Sequence, residues 1–153
     1  MNIYLSRQAG FTLVELVVIL LVLGILSAYV APKFFSLDDY RSRAAYDELA
    51  GALRYAQKLA VATGCEVQVA VAGNNYALQQ HSTDCTTGVF ATIVNHPVTT
   101  NNLEGVTLSS TTTPFIFNAL GSCSASPTIE VKVAGVTTHT INVVQETGFV
   151  DAP

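Results

Sequence analysis

Apolar residues are concentrated near the start of the chain. Residues 11–31, FTLVELVVILLVLGILSAYVA, contain a single charged residue, Glu15. About 20 apolar residues in a helix cross a hydrocarbon layer of about 30 Å. The run is therefore predicted to be a transmembrane helix. Arg7, on the short N-terminal flank, favours a cytoplasmic N-terminus.

A second helical pattern follows Pro32. Between residues 38 and 62 the apolar residues recur at steps of three and four, which is the spacing of one helix face. Proline removes a helical hydrogen bond and so bends or ends a helix. The pattern predicts a nearly continuous helix over about residues 11–62, bent near Pro32, with Gly64 suited to its C-terminal end.

From residue 65 the apolar spacing changes to two, which is typical of β-strands. The segment CEVQVAV is followed by the turn residues Gly73, Asn74 and Asn75 and then by YALQQ, which predicts a hairpin. We therefore expect an α+β fold in which the helix packs on an antiparallel β domain. Further strand-like runs cover residues 88–94, 105–108, 114–118, 128–134, 139–144 and 148–151.

Composition and charge exclude two classes of protein. Half of the 153 residues are hydrophobic and 12% are charged, which excludes a disordered chain. The formal net charge is −4, and residues 59–153 contain one cation, Lys132, against six acids. A general nucleic-acid binder needs a basic face, so nucleic acid is not an expected partner.

An ordinary secretory signal peptide explains the N-terminus poorly. The apolar core of such a peptide spans about 7–15 residues and is followed by a cleavage site with small residues. This run is longer. Cleavage after Ala31 or Ala28 would place Tyr29 or Leu26 at the −3 position, where a small residue is needed.

The segment from Gly10 to Glu15, GFTLVE, closely resembles the N-terminal signature of type IV pilins and pseudopilins. The resemblance covers roughly residues 7–33. It implies cleavage between Gly10 and Phe11 by a prepilin peptidase, and N-methylation of Phe11. It divides the chain into a leader at 1–10, a membrane and assembly helix at 11–31, an amphipathic helix at 32–63 and a β domain at 64–153.

Later segments extend the resemblance. Residues 114–121, PFIFNALG, and 145–150, QETGFV, look like H-type pseudopilins of type II secretion. Residues 31–34 and 52–64 resemble minor pilins of the mannose-sensitive haemagglutinin (MSHA) pilus, the C component in particular. A minor pilin would have as partners other pilin subunits, the prepilin peptidase and inner-membrane assembly proteins. It would move from the inner membrane into the fibre.

Two alternatives remain beside the MSHA minor pilin. One is a minor pseudopilin of a type II secretion system, with the same fold in a different machine. The other is an adhesive subunit whose β-domain loops bind a glycan.

The family resemblance gives roles to Glu15 and Pro32. A charge at the centre of a bilayer costs roughly 2.5–3.5 kcal/mol, although Glu15 lies only about one turn from Phe11. After cleavage, the new amine of Phe11 can be neutralised by Glu15 of a neighbouring subunit. In the family, the segment that corresponds to residues 24–32 can loosen in the fibre, and Pro32, the expected kink of the helix, lies at its end.

The cysteines predict one disulfide. With the N-terminus in the cytoplasm, residues 32 onward face the outside, where pairs of thiols are oxidised to disulfides. If Gly73 and Tyr76 flank a two-residue turn, Cys65 faces position 84, and a single bulge brings Cys85 opposite it. We therefore expect a Cys65–Cys85 bridge that leaves Cys123 over, and Cys85–Cys123 stays open as an alternative.

The sequence carries no catalytic pattern. It has no G-x-S-x-G, phosphate-binding loop or H-E-x-x-H. His81 and Asp84, near Cys65 and Cys85, lack the spacing of a zinc site. Neither an enzyme nor a cofactor or metal is expected.

Overall fold

The computed structural model describes residues 10–34, 37–85, 87–94 and 103–153. The chain divides into two compact units, Met1–Ser36 and Leu37–Pro153. Within the described residues the elements are α1 (Leu13–Phe34), α2 (Leu37–Thr63), β1 (Val67–Ala72), β2 (Asn75–His81), β3 (Phe90–Ile93), β4 (Thr107–Ser110), β5 (Phe115–Phe117), β6 (Thr128–Val133), β7 (Val136–Val143) and β8 (Val150–Asp151).

Helix α1, in the first unit, is apolar on all sides. From Leu13 to Leu26 each of its large apolar side chains is between 43% and 80% exposed. A helix that is hydrophobic all round needs burial on every face. Among the helices of the described residues, none has the combined length and hydropathy of a membrane span.

Helix α2 supplies one wall of the core of the second unit. Its buried positions recur every three or four residues, and most carry alanine, so the helix backbone lies close to the strands beneath it. Leu49 and Leu53 are fully buried between these alanines. The buried residues are Ser42, Ala45, Leu49, Ala50, Ala52, Leu53, Ala56 and Ala60.

Two antiparallel sheets form the rest of the second unit. Their strand orders are β3-β2-β1-β5 and β4-β6-β7-β8. Strands β1 and β6 alternate buried and half-buried residues, as strands with one face on a core do. Helix α2 contacts strands of both sheets. The sheets meet where the Leu108 N–H donates to the carbonyl oxygen of Gly73 at 2.6 Å.

The first hairpin turns earlier than predicted. Ala72 pairs with Asn75, so the turn residues are Gly73 and Asn74. Gly73 has a φ of 60°, which suits the first central position of a type II′ turn. The predicted pairing of Gly73 with Tyr76 is wrong, and this register places Cys65 opposite position 82 instead of 84.

Three further features can be compared with the sequence: the start of β7, the bend near Pro32 and the segment at 95–104. The second hairpin turns at Ala134 and Gly135, both with positive φ, so β7 begins three residues before the predicted strand. Helix α1 continues past Pro32 to Phe34, while residues 35–36 lie outside the described residues. The bend near Pro32 therefore stays a prediction. The sequence of residues 95–104 is typical of a loop, and residues 95–102 of this segment lie outside the described part.

Candidate processing and assembly site

The residues around the predicted cleavage point precede α1 and are exposed. Phe11 is 73% exposed, and Gly10 is exposed as well. No heavy atom of the described chain lies within 4 Å of a Cβ built on Gly10. Gly10 and Phe11 are thus exposed among the described residues, which leave room for a larger residue at position 10.

Thr12 caps the first turn of α1. Its Oγ1 accepts a hydrogen bond from the Glu15 N–H at 3.2 Å, and its carbonyl oxygen accepts one from the Leu16 N–H at 3.2 Å. Thr12 is therefore the N-cap and Glu15 the third helical residue. This cap was not predicted, although threonine three residues before glutamate is a sequence signal for it.

Glu15 lies where a helix favours negative charge. The free N–H groups of a first turn carry partial positive charge, so a carboxylate is favourable there. The Glu15 side chain is exposed, and within the described residues it forms no ion pair. The carboxylate thus stabilises the start of its own helix.

Cys65 and Cys85 form a disulfide, which closes the segment after β2 onto the start of β1. The strand ladder does not bring them together, since Cys65 lies opposite position 82. After His81 the chain leaves the ladder and turns back, so that the Cys85 carbonyl oxygen accepts a hydrogen bond from the Glu66 N–H at 3.0 Å. Cys123 is free and buried, and burial raises the pKa of its thiol.

His81 joins three segments beside this disulfide. Its Nε2 lies 3.3 Å from Oε2 of Glu66, and its Nδ1 lies 3.0 Å from the carbonyl oxygen of Gly88. Its ring packs on Phe90 with centroids 3.9 Å apart. The described residues contain no cluster of three or more potential metal ligands. Through these contacts His81 links the end of β2 to Glu66, Gly88 and Phe90.

Gln57, in the C-terminal half of α2, joins two loops. It was not predicted as a functional residue. Nε2 of Gln57 donates to the carbonyl oxygen of Gly121 at 3.1 Å and to that of Thr147 at 2.8 Å. Gly148, with a φ of +63°, packs against the Gly121 carbonyl with no room for a Cβ. The two segments that resemble H-type pseudopilins, 114–121 and 145–150, thus come together here.

Tyr76 ties β2 to α2. It is 2% exposed, and its hydroxyl donates to Oε1 of Glu48 at 2.8 Å. Burial, and then the hydrogen bond to Glu48, raise the pKa of Tyr76 above that of a free tyrosine. The neutral phenol is therefore the form that this core accommodates.

Comparison with known proteins places these features in the pilin and pseudopilin class. Residues 5–31 match the prokaryotic N-terminal methylation motif, and residues 45–147 match the family described as Type II transport protein GspH. Because the second match covers more than half of the chain, the protein belongs to the GspH family. This is a family of structural pilins and pseudopilins, which assemble with other pilin subunits.

A curated relative shares part of the sequence. The chain is 41% identical over 54 residues to the type IV narrow pilus major component PilA5 of Thermus thermophilus. The match covers 35% of this chain and 47% of PilA5. The chain thus spans about half the length of the curated relative that it matches.

Two solved structures share the fold. The type IV minor pilin FimU of Pseudomonas aeruginosa (strain PAO1) gives a TM-score of 0.59 at 17% identity, over 72% of this chain and 87% of FimU. The minor pseudopilin EpsH from the type II secretion system of Vibrio cholerae gives 0.61 at 15% identity, over 76% and 95%. The predicted α+β fold, a helix packed on antiparallel sheets, is confirmed.

Proposed function

We propose that the protein is a structural minor pilin of an MSHA-type type IV pilus, contributing to pilus biogenesis and surface attachment. The observation that carries this is an exposed pair of residues, Gly10 and Phe11, followed by a capped helix that is apolar on all sides. Such a helix is suited to burial in a bundle of like helices, and the folded second unit supplies a separate outer surface.

The proposed sequence of events begins in the inner membrane, where residues 11–31 hold the chain with its N-terminus in the cytoplasm. A prepilin peptidase removes residues 1–10 and methylates the new amine of Phe11. Inner-membrane assembly proteins then move the subunit into the fibre, where Glu15 meets the Phe11 amine of a neighbour. An isolated charge in an apolar bundle is costly, so this pairing would favour a particular subunit arrangement.

A pseudopilin of a type II secretion system is the alternative that the fold favours equally, since FimU and EpsH align with this chain to similar TM-scores. An adhesive tip subunit that binds glycans is a second alternative, and it would use the β-domain loops. The structural roles need no catalytic group, cofactor or nucleic acid.

Cells that produce the full chain with a photo-crosslinking amino acid in place of Leu13 would test the proposal. Leu13 is 80% exposed at the start of α1, so a subunit packed against this helix would be captured. We expect crosslinks to other prepilin-type subunits of a pilus, and loss of pili on deletion of the gene. Unchanged pili with lost protein secretion would favour the pseudopilin instead.

A further inference from the structure

The sheet β3-β2-β1-β5 has an outer face that points away from the core. Val67, Val69 and Val71 of β1 are buried, so the residues between them lie on the opposite face. Paired residues of neighbouring strands share a face, and the pairing extends this face across all four strands. We call its central part the outer patch. Its residues are Gln68, Ala70, Ala77, Gln79, Ile93 and Ile116.

The outer patch is uncharged and has hydrogen-bonding groups without partners. Its four strands contain no aspartate, glutamate, lysine or arginine. Ile93 is 63% exposed, and Ile116 is half-buried. Gln68 and Gln79 are half-buried as well, and within the described residues their side-chain amides form no hydrogen bond. The core of a protein interface is depleted of charged residues, so this composition favours a contact surface.

One row of the outer patch is symmetric. Across the four strands it reads Ile116, Gln68, Gln79 and Ile93. A two-fold axis that runs along the strands, between β1 and β2, places Ile116 opposite Ile93 of a second copy. The same axis places Gln68 opposite Gln79 of that copy. Because a carboxamide carries both donors and an acceptor, the facing amides can bond reciprocally. The row is therefore self-complementary, as a two-fold interface requires.

The charged end of the face favours this direction of the axis. Glu66 lies there beside His81, with its Oε2 3.3 Å from Nε2. An axis across the strands, through the row of glutamines, would place the Glu66 carboxylate against Ala70 and Ala77 of the second copy. Covering a charge with apolar groups is costly. An axis along the strands instead places alanine against alanine and leaves Glu66 at the edge of the contact.

We propose that the outer patch binds the outer patch of a second copy of this chain, face to face and with the strands aligned. The contact goes beyond the proposed function and does not depend on it, because it lies within the second unit. Four strands and two rows of side chains cover roughly 300 Å². A stable interface buries about 800 Å² on each partner. The pair is therefore weak in dilute solution and forms where chains are concentrated.

Photo-crosslinking of the full chain in non-ionic detergent tests this contact. An aliphatic diazirine amino acid replaces Ile93 or, as the matched control, Val136, an apolar residue of the other sheet with 66% exposure. We expect roughly tenfold more crosslinked dimer from position 93, with the link in a peptide that contains Ile116. Within one chain, Ile93 and Ile116 lie on opposite edge strands about 14 Å apart, so this link must join two copies.

Charge variants test whether the two glutamines face each other. Gln79→Lys or Gln68→Glu alone should lower the dimer yield from position 93 roughly tenfold, since each places an unpaired charge against an amide of the second copy. An equimolar mixture of the two variants should restore most of the yield, because the lysine of one copy then faces the glutamate of the other. Restoration also shows that both variants fold.

Three results would overturn the proposal. Equal yields from positions 93 and 136 would mean that the chains associate without the outer patch. A link from position 93 to a peptide without Ile116, or a mixture that crosslinks no better than the single variants, would remove the two-fold arrangement. When the same variants are irradiated in cells, capture of a different subunit at position 93 with no second copy would show that another protein covers the patch.

Discussion

Gly148 packs against the carbonyl oxygen of Gly121, at a point where the backbone leaves no room for any other residue. Nε2 of Gln57 donates a hydrogen bond of 3.1 Å to the same carbonyl oxygen and also lies beside the position that a Cβ of residue 148 would take. The contact joins two loops, which are 27 residues apart in sequence, to the C-terminal half of α2. It therefore explains why position 148 has a glycine.

Substitution Gly148→Ala should destabilise the second unit strongly. A positive φ costs a residue with a Cβ about 1–2 kcal/mol, and the clash with a carbonyl fixed by Gln57 adds to this, for a total of about 2–4 kcal/mol. Gly135→Ala is the matched control, because Gly135 has a φ of +82° but open space around its Cβ position. Urea unfolding of the mature chain in non-ionic detergent measures both. Equal losses would mean that the Gly121 contact adds nothing.

Local patterns in the sequence were enough to predict the architecture. The change of apolar spacing from three and four to two marks the end of α2, and eight predicted strands correspond to β1–β8. Turn positions were less predictable, because Gly73, Asn74 and Asn75 all tolerate turn conformations. Strand β1 also pairs with β5 on its other side, and this pairing constrains the position of β1 in a way that no local sequence pattern indicates.

Among the site residues, too, those that depend on local sequence were predictable and those that depend on distant contacts were not. The cleavage motif is local and was identified from six consecutive residues, whereas Gln57 was not, because its partners lie 64 and 90 residues away. The expected Cys65–Cys85 pairing was derived from a wrong register. The bridge forms because the chain turns back after His81, which alternating apolar residues do not indicate.

Stability should fall in alkaline solution through Tyr76. Its pKa in the folded chain is raised above the unfolded value of about 10. The contribution of Tyr76 to the free energy of unfolding is therefore fully present below about pH 10. It is lost as the pH rises from there towards the pKa of Tyr76 in the folded chain. Tyr76→Phe should flatten this part of the curve of unfolding free energy against pH. Tyr40→Phe, a change at an exposed tyrosine, should leave the curve as in the wild type.

The disulfide should contribute to the stability of the second unit. Closing a loop of 20 residues constrains the unfolded chain by roughly 3 kcal/mol. The double variant Cys65→Ser with Cys85→Ser should lose about that much in urea unfolding. Mass mapping of the unreduced wild type should find Cys65 joined to Cys85. A peptide that joins Cys123 to either of them would contradict the pairing. Because Cys123 is free and buried, it should react with thiol reagents only when the protein unfolds.

Processing should depend on the size of residue 10. Because the described residues leave open space at Gly10, Gly10→Val should not disturb the folded second unit, and we expect any block to arise at the peptidase. We expect an uncleaved precursor in the membrane fraction, longer by ten residues and visible by intact mass. Gly24→Val, at another glycine with open space, should be processed normally. Mature protein of normal mass from Gly10→Val would remove the proposed cleavage.

The proposed assembly role of Glu15 can be separated from the effect of the helix cap at Thr12. Glu15→Leu removes the charge, whereas Glu15→Gln removes the charge but keeps a residue that suits the third helical position. Thr12→Ala does the reverse, since it removes the cap at a cost of about 1 kcal/mol and keeps the carboxylate. Cleavage after Gly10 should persist in all three variants, because each change lies beyond the cut.

If the carboxylate neutralises the Phe11 amine of a neighbour, charge is the property that matters. Glu15→Leu and Glu15→Gln should then both be depleted from sheared filaments and accumulate in the membrane fraction, the glutamine variant less completely because its amide oxygen still accepts a hydrogen bond. Thr12→Ala should be incorporated nearly as well as the wild type. Quantitative immunoblots of sheared filaments against membranes measure this. A Thr12→Ala defect as large as that of Glu15→Leu would assign the effect to the helix cap, and normal incorporation of Glu15→Leu would show that the carboxylate makes no assembly contact.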